Sequence, residues 1–361
     1  MQRRDAFPLI DGLRGIAAIA VFSIHWQSIS APWLLASSGY LAVDLFFLLS
    51  GIVIAHAYDA RISSGDLNTV RFMLIRIIRF WPLYALATLL AGALACMAIA
   101  TGRIVYYPSY AAALASTGLT LLFIPQHWSG ELFQLNVPYW SLLCELIANL
   151  IFVLAWRRLS LGILAVIVAI GGIGVVASGL AFGQLSGGGW WDTAHVGLVR
   201  VIFSFFLGVI IYRTVPRASA VSQTVAIACA ATLIAVFAIQ PGAWRVWYDL
   251  VCVILLFPAI GVLVMRIGVS GPVARVFKML GAASYGVYVL HLPMLIVVSA
   301  IVTRTGRTAE SIGPLLFLVV CPALVAAVLI LDRWFDRPVR KYLTSRLGLD
   351  APRAASDPEP L

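Results

Sequence analysis

Leu9-Ile10-Asp11-Gly12-Leu13-Arg14-Gly15 opens an apolar run that meets no further ionisable group until His25. The run is long enough to cross a bilayer, yet it carries a guanidinium near one end and an imidazole towards the other. At 100° per residue, eleven steps bring His25 back to within about 20° of Arg14, so both side chains share one face of a helix. At about 1.5 Å per residue they stand roughly 16 Å apart along the axis. Hydrocarbon penalises both groups, so this face is expected to point into a protein-lined or water-filled cavity. A span that holds such a pair points to chemistry or transport.

The rest of the chain supports that environment. Of 361 residues 62% are hydrophobic and only 11% are charged, which excludes a soluble domain and predicts an all-α, polytopic integral membrane protein. The net charge of +10 arises from short arginine clusters between apolar runs, the distribution that membrane topology produces, so nucleic acid is not an expected partner. The partner set by composition is the lipid bilayer. Cys96, Cys144, Cys229, Cys252 and Cys321 fall in or beside apolar runs without ligand or paired spacing, so they read as small buried hydrophobes and no metal site is expected. Arg3 and Arg4 before an apolar segment resemble a signal peptide, but no small-residue cleavage site follows, and an uncleaved first span is expected.

Apolar windows of bilayer length centre on residues 10–28, 39–57, 80–100, 139–156, 160–182, 196–214, 220–239, 246–266, 283–303 and 313–332, giving ten spans. An eleventh candidate, 111–124, is shorter and rich in Ala, Ser, Thr and Gly. Charge decides its status. With a cytoplasmic N-terminus, Arg61, Arg71, Arg76, Arg79, Arg157, Arg158, Arg213, Arg217, Arg266, Arg275, Lys278 and the group from Arg333 to Arg346 all lie inside; a full span at 111–124 would invert most of them. The segment is therefore expected to be re-entrant or interfacial, with both termini cytoplasmic. Residues 1–341 read as one transmembrane domain and 342–361 as a cytoplasmic, disordered tail; no loop is long enough to hold a second soluble domain. Gly171, Gly172, Gly174 and Gly179 follow no strand, so they predict close helix packing rather than a nucleotide loop.

Ionisable residues inside other spans supply candidate partners for His25. Asp44, near the outer end of span two, falls at the depth of His25 and could accept from one ring nitrogen, leaving the other as a general base; Asp44 as a cap of its own span is the alternative. Glu145 follows Trp140-Ser141-Leu142 and is expected near the same level. Arg200 and Asp249 read as structural counter-ions to such a cluster. On the inner side, Arg76 and Arg79 stand three residues apart just before Pro82, so a phosphate clamp competes with ordinary positive-inside charge. Tyr285, Tyr288 and His291 lie at i, i+3 and i+6 of one span, with Pro293 beside them able to free a backbone carbonyl.

These residues resemble, in order, the motifs of the membrane-bound acyltransferase-3 family. Leu9–Arg14 with His25 looks like its opening signature, and Val43-Asp44-Leu45-Phe46-Phe47-Leu48-Leu49-Ser50-Gly51 is similar to its second-helix motif. Further similar blocks are Arg76–Tyr84, Trp140-Ser141-Leu142 with Glu145, Ser284–Pro293, and Asp336-Arg337-Pro338-Val339-Arg340, where Asp336 replaces the usual Glu. The likeness covers residues 7–341. It implies transfer of an acyl group, commonly acetyl from acetyl-CoA, to a hydroxyl of a glycan such as a surface polysaccharide or lipopolysaccharide, at a bacterial inner membrane. It implies His25 as the catalytic histidine, Arg14 as its essential partner, and Arg76 and Arg79 as coenzyme A contacts; the place of Arg14 at the inner end of the first span makes it a further expected contact for the coenzyme A phosphates.

The expected mechanism has His25, oriented by Asp44 or Glu145, take the acceptor proton while the hydroxyl attacks the thioester; an acyl-histidine route stays open. Arg14 or Tyr288 would steady the oxyanion, with His291, Trp140 and Ser141 as further substrate or oxyanion candidates. No tightly bound cofactor is expected, acyl-CoA being a substrate. The rival from another class is a non-enzymatic transporter of a lipid-linked sugar or an anion, with Arg14, His25 and Glu145 lining the path.

Overall fold

The computed structural model describes residues 7–26, 36–102, 107–217, 220–304 and 309–349. Arg3 and Arg4 of the first-span reading, and residues 350–361 of the tail, lie outside them. The described residues fold into thirteen α-helices: α1 (Pro8–Trp26), α2 (Ala42–Ser63), α3 (Thr69–Ala100), α4 (Tyr110–Leu121), α5 (Tyr139–Ala155), α6 (Leu161–Phe182), α7 (Ala194–Thr214), α8 (Gln223–Ala238), α9 (Arg245–Val251), α10 (Phe257–Arg266), α11 (Gly271–Arg304), α12 (Ala309–Leu331) and α13 (Arg337–Arg346). Single π-turns, Cys252–Leu256 and Asp332–Asp336, join α9 to α10 and α12 to α13. Each π-turn ends just before Pro258 or Pro338. A proline cannot donate to the carbonyl four residues back and crowds it, and a widened turn relieves both problems without ending the rod.

Nine helical rods among the described residues are long and apolar enough to cross a membrane, which makes the chain an all-α multi-pass membrane protein. The sixteen-residue α8 is apolar but shorter than those nine. At its start, Ser222 N–H donates to Gly268 O (3.2 Å), just before α11 begins beside the Pro8 end of α1. At its finish, Phe237 O and Ile239 O accept from Ser38 N–H (2.9 Å) and Ser38 Oγ–H (2.8 Å), next to the Trp26 half of α1. The twelve-residue α4 is different. At about 18 Å it is too short to cross a hydrocarbon core of about 30 Å. It runs back along the second half of α3, from Ala112 near Ile99 to Thr117 against Gly92 and Thr120 at Tyr84.

Hydrophobic character follows position. α6 and α12 carry their apolar side chains outward, Ile163, Val166, Ile170 and Ile173 on one and Leu315, Leu318 and Val319 on the other, as lipid requires. α1 and α2 are the most buried rods. Three pairs of helices approach at backbone distance through small residues. In the parallel α1–α11 pair, a Cβ at Gly12, Gly15 or Gly281 would run into Phe277, Leu280 or Asp11. In α2–α7, Gly51 faces the Phe205 carbonyl and Gly208 the Leu48 carbonyl. Gly171 and Gly174 of α6 meet Phe203 and Val199 of α7, the close packing their spacing predicts.

Candidate active site

The α1–α11 seam carries the polar groups in a fixed vertical order. At its Pro8 end lie Asp11, Arg14 and Lys278, with Arg79 of α3 close enough to act electrostatically on Asp11 and Arg14. Arg79 has no acidic partner at salt-bridge distance among the described residues. Its other charged neighbours are Asp336 and Arg340, on the π-turn and α13. There Arg340 bonds Asp336 at 2.6 Å and Asp332 at 3.3 Å, and Arg337 bonds Asp332 at 2.6 Å. The Asp336 block thus closes the Pro8 side of the site.

Above this layer is an open-sided cavity, about 390 Å³ when the solvent space at its mouth is counted. Arg14 and Glu145 supply its charges, Ser141, Ser284, Tyr285 and Tyr288 its hydroxyls, and Phe46, Phe47 and Phe80 much of its apolar wall. Arg14 Nε and Arg76 Nε are buried donors without a hydrogen-bond acceptor among the described residues. Such donors suit an anionic or carbonyl-bearing ligand, because an unmet buried N–H costs about 1–3 kcal/mol. Tyr285 OH donates to Phe80 O (2.6 Å), two residues before Pro82 in α3. Tyr288 OH lies 2.5 Å from Ser141 Oγ and donates to Pro138 O at 3.0 Å.

One turn beyond Tyr288 the seam holds two histidines. His291 is fully buried, and its Nε2 lies 3.3 Å from His25 Nδ1. His25 Nδ1 is also 2.8 Å from Val21 O, and His291 Nδ1 is 3.1 Å from Val287 O, each the carbonyl one turn back on its own helix. Phe22 and Tyr288 flank the pair, with ring centroids 6.2 and 6.1 Å from that of His291. Pro293 contributes here: it offers no N–H to Val289 O, and Asn136 Nδ2 donates to that carbonyl instead at 2.9 Å. α11 is thereby tied to the chain entering α5 directly beside His291.

The expected orienting carboxylates do not reach His25. Asp44 is fully buried and receives Arg200 through two bonds, Nε to Oδ1 at 3.0 Å and an Nη to Oδ2 at 2.7 Å. The Arg200 guanidinium also donates to Gly187 O (2.8 Å) and Tyr40 O (3.1 Å) and stacks 5.4 Å from the Trp140 ring. A guanidinium with only carbonyls for company would be far costlier to bury than a neutral imidazole, so it takes the carboxylate. Glu145 lies deeper than Asp44, at the level of Ser50 on α2. It accepts from Ser50 Oγ (2.5 Å) and pairs with Arg76 at 3.1 Å, facing Arg14 rather than His25. Six residues of α2 separate Asp44 from Ser50, about 9 Å of depth. The shared level for His25, Asp44 and Glu145 is therefore corrected to two levels.

Arg76 and Arg79 diverge despite their spacing: Arg76 turns to Glu145 and over the Phe80 ring at 5.1 Å, while Arg79 stays with the Pro8-side charges. Trp140 is packed beneath the backbone of Gly188 and Gly189, so it is a wall and not an open stacking platform. Asp249 accepts from Tyr40 OH (2.6 Å) and Leu185 N–H (2.8 Å), an anchor for the loop before α7. Ser50, Asn136 and Tyr40 were not singled out by the sequence. Only Asn136 left a trace there, through the carbonyl that Pro293 frees. Among the described residues no cluster of three or more His, Cys, Asp or Glu side chains is placed to hold a metal ion.

A half-buried histidine beside a buried one, stacked above an arginine-lined cavity within a multi-pass helical bundle, makes a candidate active site on α1 and α11. The chain belongs to the acyltransferase-3 family, whose profile, described as "Acyltransferase domain", matches residues 7–333. It is 36% identical over 161 residues to "Protein 2 in picA locus" of Rhizobium radiobacter, covering 41% of this chain and 81% of that protein. It is 32% identical over 166 residues to "Acyltransferase MdmB" of Streptomyces mycarofaciens, covering 42% of this chain and 39% of that relative. No solved structure matches the chain. The protein is a multi-pass membrane acyltransferase.

Proposed function

We propose that the chain moves an acyl group, acetyl in the simplest case, from acyl-CoA on the Pro8 side to a carbohydrate hydroxyl on the Trp26 side. The observation that carries the reading is the order along α1–α11: cationic groups, then a cavity lined by the unmet Arg14 Nε donor, then the histidine pair. A coenzyme A diphosphate would sit at Arg79 and Arg14, and its pantetheine arm would rise through the cavity. The rise from Arg14 to His25, roughly 16 Å, suits such an arm. The arginine clusters on the Pro8 side favour a cytoplasmic position for both termini and, in a bacterium, the inner membrane.

In this reading His25 is the general base. The acceptor oxygen attacks the thioester carbonyl carbon, its proton passes to His25 Nε2, and the tetrahedral intermediate collapses with cleavage of the C–S bond. The thiolate leaves with that proton as coenzyme A thiol. Tyr288, whose hydroxyl lines the cavity, would serve the oxyanion by turning its single O–H away from Pro138 O. Asp44 shapes the site through Arg200, and Glu145 holds Arg76 and faces Arg14.

The experiment is titration of the purified protein in nanodiscs with acetyl-CoA, with coenzyme A as competitor, for wild type and the Arg79→Ala variant. Saturable acetyl-CoA binding, weakened at least about tenfold by loss of one phosphate ion pair, supports the reading. Equal indifference of both proteins to acetyl-CoA contradicts it and favours a transporter.

A further inference from the structure

Every intramembrane carboxylate near the histidines is already engaged: Asp44 by Arg200, Asp249 by Tyr40 and the Leu185 amide, Glu145 by Arg76 and Ser50. Among the described side chains, His291 lies within hydrogen-bond distance of His25. Hydrogen-bond direction assigns the protons of the pair. Val21 O can only accept, so His25 Nδ1, 2.8 Å away, carries a hydrogen. Val287 O can only accept, so His291 Nδ1, 3.1 Å away, carries one too. His291 Nε2 is then the lone-pair nitrogen, and it faces the His25 Nδ1–H at 3.3 Å. The His25 lone pair is left on Nε2.

We infer that His291 is the positioning partner of His25, a neutral imidazole doing what a carboxylate does in a Ser-His-Asp triad. It gives the Nδ1–H that Val21 O already fixes a second acceptor and takes up part of the charge that develops when Nε2 accepts a proton. The inference rests on the acyl-transfer reading above. The proton balance is unchanged by it: the acceptor proton goes to His25 Nε2 and leaves on the thiol, while the Nδ1–H···Nε2 bond shortens transiently and no proton is lost to His291. A neutral partner also fits the setting. His291 is fully buried in a wall of Phe22, Tyr288 and helix backbone, where an unpaired carboxylate would be costly. Val21 O and His291 Nε2 share one N–H, so loss of His291 removes the acceptor that strengthens on charging without removing the carbonyl that sets the resting ring.

The test uses full-length protein in membrane vesicles of the producing cells, with [1-14C]acetyl-CoA and hydroxylamine-labile label as the transfer readout. His291→Phe keeps a ring and deletes the acceptor; His291→Gln returns an oxygen at the position of Nε2. The expected result is a fall in kcat of about 10- to 100-fold for His291→Phe, the loss of one hydrogen bond to a charged group, with KM for acetyl-CoA unchanged. His291→Gln recovers most of the rate. In parallel, 15N-histidine NMR of the wild type, where only five histidines contribute, should show His25 protonated at Nδ1 and not at Nε2. Full kcat in folded His291→Phe, a raised KM with kcat intact, or a His25 proton on Nε2 overturns the inference. If His291→Phe does not fold, His291→Gln and the NMR decide it: a wild-type-like NMR pattern with an active Gln variant supports it, and an inactive folded Gln variant overturns it. Activity that survives His25→Ala counts instead against the acyl-transfer reading of His25 itself.

Discussion

Replacing Asp44 with alanine separates a structural carboxylate from a catalytic one. Asp44 is fully buried and Arg200 only 1% exposed, and the two share a two-point bond at 3.0 and 2.7 Å. Removing the carboxylate leaves the guanidinium with Gly187 O, Tyr40 O and the Trp140 face, which satisfy its hydrogens and not its charge. Breaking a buried pair from one side costs about 3–5 kcal/mol, while replacing both partners with apolar groups of similar volume is near neutral. For Asp44→Ala the melting midpoint should therefore fall by on the order of 5–15 °C. The double replacement Asp44→Leu with Arg200→Met should restore most of it. A thiol-reactive fluorogenic dye is a suitable probe, because Cys144, Cys229 and Cys252 are free and buried in the folded bundle. Asp44→Asn, which keeps acceptor and size, should melt between the two and retain measurable transfer. If Asp44→Ala melts like wild type and yet loses transfer by a thousandfold or so, the structural role is wrong and Asp44 acts on the reacting groups.

Three further outcomes follow from the packing. Gly51→Ala and Gly208→Ala each push a methyl into a carbonyl of the opposite helix and should each cost about 1–3 kcal/mol in the same melting assay, whereas Gly118→Ala on α4 meets open space and should be neutral or slightly stabilising. Asn136→Ala strands the Val289 carbonyl and should cost about 1–3 kcal/mol, with faster amide exchange in α11 around His291 as its local signature. Arg76→Ala leaves Glu145 with the Ser50 hydrogen bond and the Arg14 charge only and should destabilise more than the double variant Arg76→Ala with Glu145→Gln, an order that an exposed ion pair would not show.

Much of the fold was legible because lipid leaves few solutions. The ten apolar windows fall on the nine long apolar helices of the described residues and on the shorter α8, and 111–124 falls on the twelve-residue α4. The ends were less legible. The apolar window 80–100 underestimates α3, which begins at Thr69 and so carries Arg71, Arg76 and Arg79 on its own first turns. Hydropathy cannot see a helix continuing through arginines into water. The pairing of Arg14 with His25 on one face was readable from spacing, since helix geometry alone fixes it. The partners of buried charges were not. Depth brought Asp44 level with His25, but Arg200 competes for the same carboxylate, and a cation wins over a neutral ring. Glu145 was misplaced in depth for a related reason: two guanidiniums, Arg14 and Arg76, lie on its level and none of the histidines does. The His25–His291 contact needed the α1–α11 register, which Gly12, Gly15 and Gly281 set and which no single-span periodicity encodes.

The central claim is that an acyl group passes along the α1–α11 seam from a donor on the Pro8 side to a hydroxyl on the Trp26 side, with His25 as the base. Sealed vesicles of known orientation, given [1-14C]acetyl-CoA on the Pro8 side only, test it in one measurement. Hydroxylamine-labile label should accumulate on carbohydrate exposed at the Trp26 side with wild-type protein, and should vanish with His25→Ala although that variant is inserted, folded and still binds acetyl-CoA. Label that appears equally with His25→Ala, or only when acetyl-CoA is supplied on the Trp26 side, would contradict the account.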